Sequence, residues 1–265
     1  MKVYISVDIE GVAGITHWDE ANKTHADYPE FREQMTRETV AAIEGARAGG
    51  ATEIWVKDAH ETGRNLITSM LPEDIKLIRA WAGHPVCMVQ ELDGTFDAVM
   101  MVGYHAAAGS EANSLAHTLS GDAVLVMLND KPASEFLVHA LASSMLGVPT
   151  VFVTGDQGLM DEVESTNPAI TRCAVKEGRG QSTISMSPAS ALKAIRAGAE
   201  KALKGDLKKS LLAVPKHTTI EITYGNPNLA YRHSWYPGCK HIGNRTIRFE
   251  TDDYFEALRM LNYVT

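Results

Sequence analysis

The first eleven residues, MKVYISVDIEG (1–11), set an apolar run of strand length against two acids, Asp8 and Glu10. Residues i and i+2 of a strand project from the same face, roughly 6.5–7 Å apart. A strand carried through Glu10 therefore puts Tyr4, Ser6, Asp8 and Glu10 on one side, with both acids at its carboxyl end. Two carboxylates on the flank of a buried strand repel, and burying them uncompensated costs several kcal/mol. A divalent cation would remove that cost.

Outward from this stretch, apolar runs of strand length recur, each followed by a polar turn and a helical pattern. FREQMTRETVAAIEGARAGG (31–50) reads as an amphipathic helix closed by Gly49 and Gly50. TEIWVKDAH (52–60), DAVMMVGYH (97–105), DAVLVMLNDKP (122–132) and PTVFVTGD (149–156) read as strands. SEFLVHALASSMLG (134–147) reads as a helix with Ser134 at its N-cap. This alternation predicts an α/β fold with a mainly parallel sheet flanked by helices. Past about residue 165 the texture changes. SPASALKAIRAGAEKALKG (187–205) is a strong helix with Ser187 capping and Pro188 in the first turn, TTIEITY (218–224) and RTIRFET (245–251) are further strands, and DDYFEALRMLNYV (252–264) is a terminal helix. The expectation is one unit over residues 1–265, with a metal-site region over about 1–165 and a C-terminal α/β subdomain over 166–265.

Ligands of open parallel sheets bind outside the carboxyl ends of the strands. There the chain carries Asp8 and Glu10, then Asp58-Ala59-His60, then Gly103-Tyr104-His105, then a turn at Asn129-Asp130 with Glu135 opening the next helix. Asp8, Glu10, His60, His105 and Glu135 are the candidate metal ligands: mixed imidazole and carboxylate ligation suits zinc, and manganese or cobalt accept similar donors. Singly, each has a plainer role as helix cap, turn former or surface histidine; it is their convergence that points to a metal. Asp58 is either a turn residue or a partner orienting the His60 ring. His117, in SLAHTLSG, is either an exposed loop histidine or a nucleophile or general acid–base group. His17, His25, His84, His139, His217, His233 and His241 read as structural or surface residues.

Composition narrows the alternatives. The 265 residues are 45% hydrophobic and carry a net charge of −8, with basic residues scattered, so neither nucleic acid nor an anionic membrane is an expected partner. Cys87, Cys173 and Cys239 form no CxxC pair, which fits a reducing compartment. No run reaches the roughly 20 apolar residues that span a bilayer, and the N-terminal run is too short for a secretory leader, so a cytoplasmic protein is expected. GRGQS (178–182) lacks the spacing of a phosphate loop, and no GxSxG elbow occurs.

SVDIEG, DAH followed by NL, GYHA, AHTLSG and LNDKPASE, in this order and spacing, resemble the zinc-dependent D-aminopeptidase family. The resemblance continues through VFVTGDQG, AVKEG, SPASALKA and FEALRMLNYV, and so covers most of the chain. It implies two zinc ions per subunit on Asp8, Glu10, His60, His105 and Glu135, with Asp8 bridging, and His117 in the place of the family's catalytic nucleophile. It also implies hydrolysis of short peptides with D-residues, such as D-Ala-D-Ala, and a ring-based homo-oligomer of stacked pentamers. From the residues alone a proton-shuttle role for His117 stays open. So do two other functions: an amidase on cell-wall fragments or a dinuclear phosphoesterase, and a metal-stabilised oligomer that binds peptides without cleaving them.

Overall fold

The computed structural model describes residues 1–265. Its strands, in chain order, are β1 (Lys2–Val7), β2 (Glu53–Asp58), β3 (Ile75–Ile78), β4 (Ala98–Tyr104), β5 (Ala123–Leu128), β6 (Lys131–Pro132), β7 (Thr150–Asp156), β8 (Thr171–Arg179), β9 (Ser182–Ser185), β10 (Thr218–Tyr224), β11 (Lys240–Gly243) and β12 (Thr246–Thr251). The helices are α1 (Trp18–Ala21), α2 (Tyr28–Ala48), α3 (Glu135–Met145), α4 (Gln157–Thr166), α5 (Pro188–Leu203), α6 (Pro227–His233) and α7 (Tyr254–Val264).

Seven strands form one sheet in the order β3-β2-β1-β4-β7-β8-β9. All neighbours are parallel except the β8–β9 hairpin. The chain builds outward from β1 to β3 on one side, then returns to lay β4, β7 and β8 on the other. The order therefore reverses between β1 and β4, and a crevice opens at their carboxyl ends. β4 and β7 are buried at every position, as strands covered on both faces must be.

Each face of this sheet has its own core. Val3, Ile5 and Val7 point toward Ile43 and Ala46 of α2 and Ala191, Ile195 and Ala199 of α5. On the opposite face Tyr4, Met101 and Val153 join Phe136 and Leu141 of α3, Leu258 and Leu261 of α7, and Ile220, Ile222 and Ile247 of a second sheet. α2 ends as its sequence predicts, on Gly50 at φ +102°, and Ser134 Oγ caps α3 by accepting from Leu137 N at 3.1 Å. Ser187 stands at the N-cap of α5 but makes no capping bond; its hydroxyl donates to Ser190 Oγ instead. No helix is long and apolar enough to cross a membrane.

The second sheet, β11-β12-β10-β5-β6, is antiparallel, and two expectations change with it. The run 122–132 is not a further strand of the parallel sheet: β5 pairs with β10. Its burial is uneven along the strand, with exposed Val124 between buried Ala123 and Val126, as suits a strand with one solvated side. The sheets also do not divide near residue 165. β5 and β6 belong to the second sheet although they precede that point, whereas β8 and β9 belong to the first although they follow it.

Candidate metal centre

Four segments deliver the candidate residues to the crevice. β1 ends at Val7, but Asp8 stays tied to β4 through its amide, which donates to Val102 O at 2.8 Å. The chain then turns, with Gly11 N donating to Gly103 O at 2.8 Å. Glu10 therefore enters from a turn, not from the strand face shared with Tyr4 and Ser6. Two glycines allow this crossing. A Cβ on Gly11 would stand 1.8 Å from Tyr104 O, and one on Gly103, at φ +71°, 2.3 Å from Asp8 O. From beneath, buried Lys176 donates to Glu10 O at 2.6 Å and Ile15 O at 3.0 Å, and Asn113 Nδ2 reaches Glu10 O at 3.1 Å. Burial pushes the Lys176 ammonium down to about 8.

His60 follows β2 on a loop organised by Asp58, whose carboxylate accepts from Asn65 N, Leu66 N and Asn65 Nδ2 at 2.5, 2.7 and 2.8 Å. Asn65 Nδ2 also donates to His60 O at 2.6 Å. Asp58 thus acts on the loop backbone and not on the imidazole. His105 directly follows β4. Glu135 is the first residue of α3, and its Oε1 accepts from Leu119 N at 2.7 Å.

These side chains converge. Asp8 Oδ1 lies 3.4 Å from His60 Nδ1, and Asp8 Oδ2 lies 3.4 Å from His105 Nε2. Glu10 Oε1 is 3.1 Å from His60 Nδ1, and Glu135 Oε2 is 3.3 Å from His105 Nε2. His117 Nε2 is 3.5 Å from Glu135 Oε1, and its ring stacks on that of His105 with centroids 4.3 Å apart. Potential ligand atoms gather in two groups, Asp8/Glu10/His105 and His105/His117/Glu135, each within 4.8 Å.

Each imidazole has its far nitrogen on a backbone carbonyl: His60 Nε2 on Ala21 O at 2.9 Å, His105 Nδ1 on Ala106 O at 3.0 Å, His117 Nδ1 on Leu115 O at 3.0 Å. A carbonyl only accepts, so that nitrogen carries the hydrogen, and in the neutral ring the other presents a lone pair to the carboxylates. Facing lone pairs repel unless a cation sits between them. Two buried atoms of the cluster, Glu10 Oε2 and His105 Nε2, have no hydrogen-bond partner at all, which is costly unless something else satisfies them.

The charges point the same way. Burial and the neighbouring Glu10 push the Asp8 carboxyl up to about 6. Burial works to raise Glu10 and Glu135 too, but His60 outweighs it and holds Glu10 well below the usual range, while His105 and His117 hold Glu135 at about 2. Burial opposes charge on His60 and His105, yet Glu10 and Asp8 raise the first and Glu135 and Asp8 the second. The buried acids therefore demand positive charge among them, whether from protons on the rings or from a cation.

Over residues 1–263 the sequence matches a peptidase family described as D-aminopeptidase. The chain belongs to the D-aminopeptidase family. It is 30% identical over 267 residues to the D-aminopeptidase of Bacillus subtilis (strain 168), spanning 100% of this chain and 97% of that protein. It is also similar to a solved structure described as "Zn-dependent D-aminopeptidase DppA from Bacillus subtilis, a self-compartmentalizing protease", with a TM-score of 0.92, 28% identity, and coverage of 100% of this chain and 96% of that one.

In this D-aminopeptidase family member a cavity of about 240 Å³ opens beside the cluster, lined by Asp8, His60, His117 and Glu135 together with Glu61, Trp81, Met88 and Leu119. No lysine or arginine lines it. The other histidines stay outside its wall: His139, for example, is buried in α3 with Nδ1 on Glu135 O, and His17 caps α1. Sequence reading passed over the residues that hold the cluster in place. Lys176 and Asn113 carry Glu10, Asn65 carries His60, and Trp18 packs edge-on against His117 at 5.2 Å. A lysine in the apolar start of AVKEG was the one local signal, since a charge there must either reach solvent or find buried carbonyls.

Proposed function

We propose that the protein is a zinc-dependent aminopeptidase that hydrolyses the N-terminal peptide bond of short peptides carrying D-residues, D-Ala-D-Ala among them. The observation that carries this reading is the set of carbonyl-anchored imidazoles whose free nitrogens face buried carboxylates, with His105 Nε2 and Glu10 Oε2 left unpartnered. The family membership and the zinc dependence of the B. subtilis relative support it.

Asp8, Glu10 and His60 would hold one zinc ion; Asp8, His105 and Glu135 would hold the other. The two oxygens of Asp8 each face a different imidazole, which is the disposition a bridging carboxylate needs. When bound, zinc polarises a scissile carbonyl and lowers the pKa of water. His117 lines the cavity, and its Nδ1 hydrogen is fixed on Leu115 O. Its Nε2, 3.5 Å from Glu135 Oε1, would be the nitrogen that takes a proton and delivers it to the departing amine. Attack on the carbonyl by His117 itself would leave an acyl-imidazole, detectable by mass spectrometry after rapid quenching, and its detection would overturn the proton-carrier role. Manganese or cobalt would fit the same donors.

A phosphoester substrate is disfavoured by the absence of Lys and Arg from the cavity wall. We extend self-assembly to this chain as a ring-based homo-oligomer, a decamer of stacked pentamers. Support comes from Tyr231, Trp235 and Tyr263, which are 59%, 73% and 66% exposed on α6, its C-terminal flank and α7, since such aromatics are enriched at interfaces. Three unpaired thiols accord with a cytoplasmic location. The function is tested by loading the protein with zinc and presenting D-Ala-D-Ala, L-Ala-L-Ala and p-nitrophenyl phosphate. Cleavage of the D-dipeptide is expected; phosphatase activity alone, or silence across a broad peptide panel, would overturn the reading.

A further inference from the structure

Three acidic side chains line the cavity, and one of them is uncommitted. Asp8 and Glu135 face imidazoles and accept backbone hydrogen bonds. Glu61 is exposed and its carboxylate has neither an ion-pair nor a hydrogen-bond partner. Its backbone is nevertheless held firmly. Glu61 sits at φ +40°, where L-residues other than Asn and Asp rarely stand. Its carbonyl accepts from Trp81 Nε1 at 2.6 Å. The Trp81 ring lies under the Lys57 ammonium, 3.8 Å from the ring centroid, and Lys57 also donates to Ala80 O at 2.8 Å. Gly63 closes the loop by donating to His60 O and accepting from Ala80 N, both at 2.7 Å. A constrained loop thus carries a free carboxylate on the residue after His60.

An aminopeptidase has to recognise a free α-amine one residue from the scissile carbonyl. That amine has an ordinary pKa of about 7.7–8.0 and is largely ammonium at neutral pH. Near two divalent cations an ammonium is repelled, and the ligand carboxylates are spent on the metals. A further anion on the cavity wall would offset that repulsion, and no lysine or arginine there competes for it. We propose that Glu61 is the specificity-determining residue that holds the α-ammonium of the peptide substrate. This rests on the aminopeptidase reading of the same site.

The test uses the zinc-loaded full chain, its Glu61→Gln and Glu61→Asp variants, and two probes of one shape. Alanine hydroxamate carries an ammonium where lactic hydroxamate carries a hydroxyl. Calorimetry on the wild type should show a preference of about tenfold for the amine, the equivalent of about 1.4 kcal/mol. Glu61→Gln should abolish the preference, Glu61→Asp should keep part of it, and zinc content should match wild type in both. In turnover, the loss in Glu61→Gln should fall on KM for the dipeptide more than on kcat. An undiminished preference in Glu61→Gln, with peptide cleavage intact in the wild type, would overturn the assignment of Glu61 alone. Wild-type protein that cleaves no peptide would instead overturn the aminopeptidase reading, and the Glu61 role with it.

Discussion

Asp8 and Glu10 stand two residues apart, yet the geometry would give them unequal shares of the proposed metal pair. Asp8 presents one oxygen toward His60 and the other toward His105, each at 3.4 Å, whereas Glu10 makes its shortest approach to His60, at 3.1 Å. Asp8→Asn keeps the volume and an oxygen for Ile9 N, but removes an anionic donor from both proposed ions; Glu10→Gln removes one from a single ion. Losing even a residue that only supports a ligand lowers metal affinity by about 10–100-fold, so a direct donor should be worth at least about 100-fold. At free zinc about ten times the wild-type Kd, each intact site is about 0.9 occupied and each damaged one about 0.1. Zinc per chain should then be about 1.8 in the wild type, about 1.0 in Glu10→Gln and about 0.2 in Asp8→Asn. Thermal shifts provide a second scale. Filling both sites stabilises by about 2.8 kcal/mol at that concentration, or roughly 6–11 °C for a chain of this size, halved in Glu10→Gln and nearly absent in Asp8→Asn. Misfolding is separable from ligand loss. The carboxyl of Asp8 is pushed up to about 6, above its ordinary value, so its ionised form costs stability at pH 7. In chelator, Asp8→Asn should therefore melt no lower than the wild type. One full equivalent of zinc on Asp8→Asn would show that Asp8 is not a bridge, and wild-type loading would show that it is not a ligand.

Lys176→Met should leave Ile15 O without the ammonium that holds it and Glu10 O with Asn113 alone; metal analysis by equilibrium dialysis should show zinc affinity lowered by about 10–100-fold with the fold retained by circular dichroism. Buried Glu38 is pushed up to about 7 and its Oε2 has no partner, so its contribution is fully present below the ordinary carboxyl value and is lost as pH rises through about 7. Glu38→Gln should accordingly melt several degrees above the wild type at pH 8 and lose that advantage at pH 4.5; equal melting at both would refute the burial of a costly charge. His117→Ala should keep wild-type zinc content while kcat falls by about 10²–10⁴-fold, and unchanged turnover would remove His117 from the chemistry.

Much of this site was legible because it hangs on strand ends. A run such as DAVMMVGYH announces both its burial and its exit into a histidine, and the order reversal between β1 and β4 then makes those exits neighbours. The second sheet was not legible for a physical reason. DAVLVML is as apolar as a parallel strand, and only its pairing with Thr218–Tyr224, far along the chain, exposes Val124 and seats the strand in an antiparallel sheet. Local pattern cannot carry information that resides in a long-range register. The position of Glu10 escaped for a related reason. Alternation along SVDIEG continues smoothly through Glu10, while the turn is dictated by Gly11 passing against Tyr104 O, a contact between segments more than ninety residues apart.

The supporting atoms were least legible of all, and they decide what the cluster can be. Three carboxylates and three imidazoles brought together could neutralise one another as simple ion pairs, each ring doubly protonated. The backbone makes that arrangement poor. Ala21, Ala106 and Leu115 each offer a carbonyl that takes one N–H from a ring, so the nitrogen facing the acids is set at 3.1–3.5 Å from carboxylate oxygens, beyond good charge-assisted hydrogen bonds. Those separations suit donors arranged around an ion more than donors bonded to each other, because two ligands about 2 Å from one metal lie roughly 3 Å or more apart. The carbonyl anchors fix which nitrogen of each ring faces the acids, and it is that fixed spacing, more than the identity of the acids, that favours the proposed metal centre over simple ion pairs.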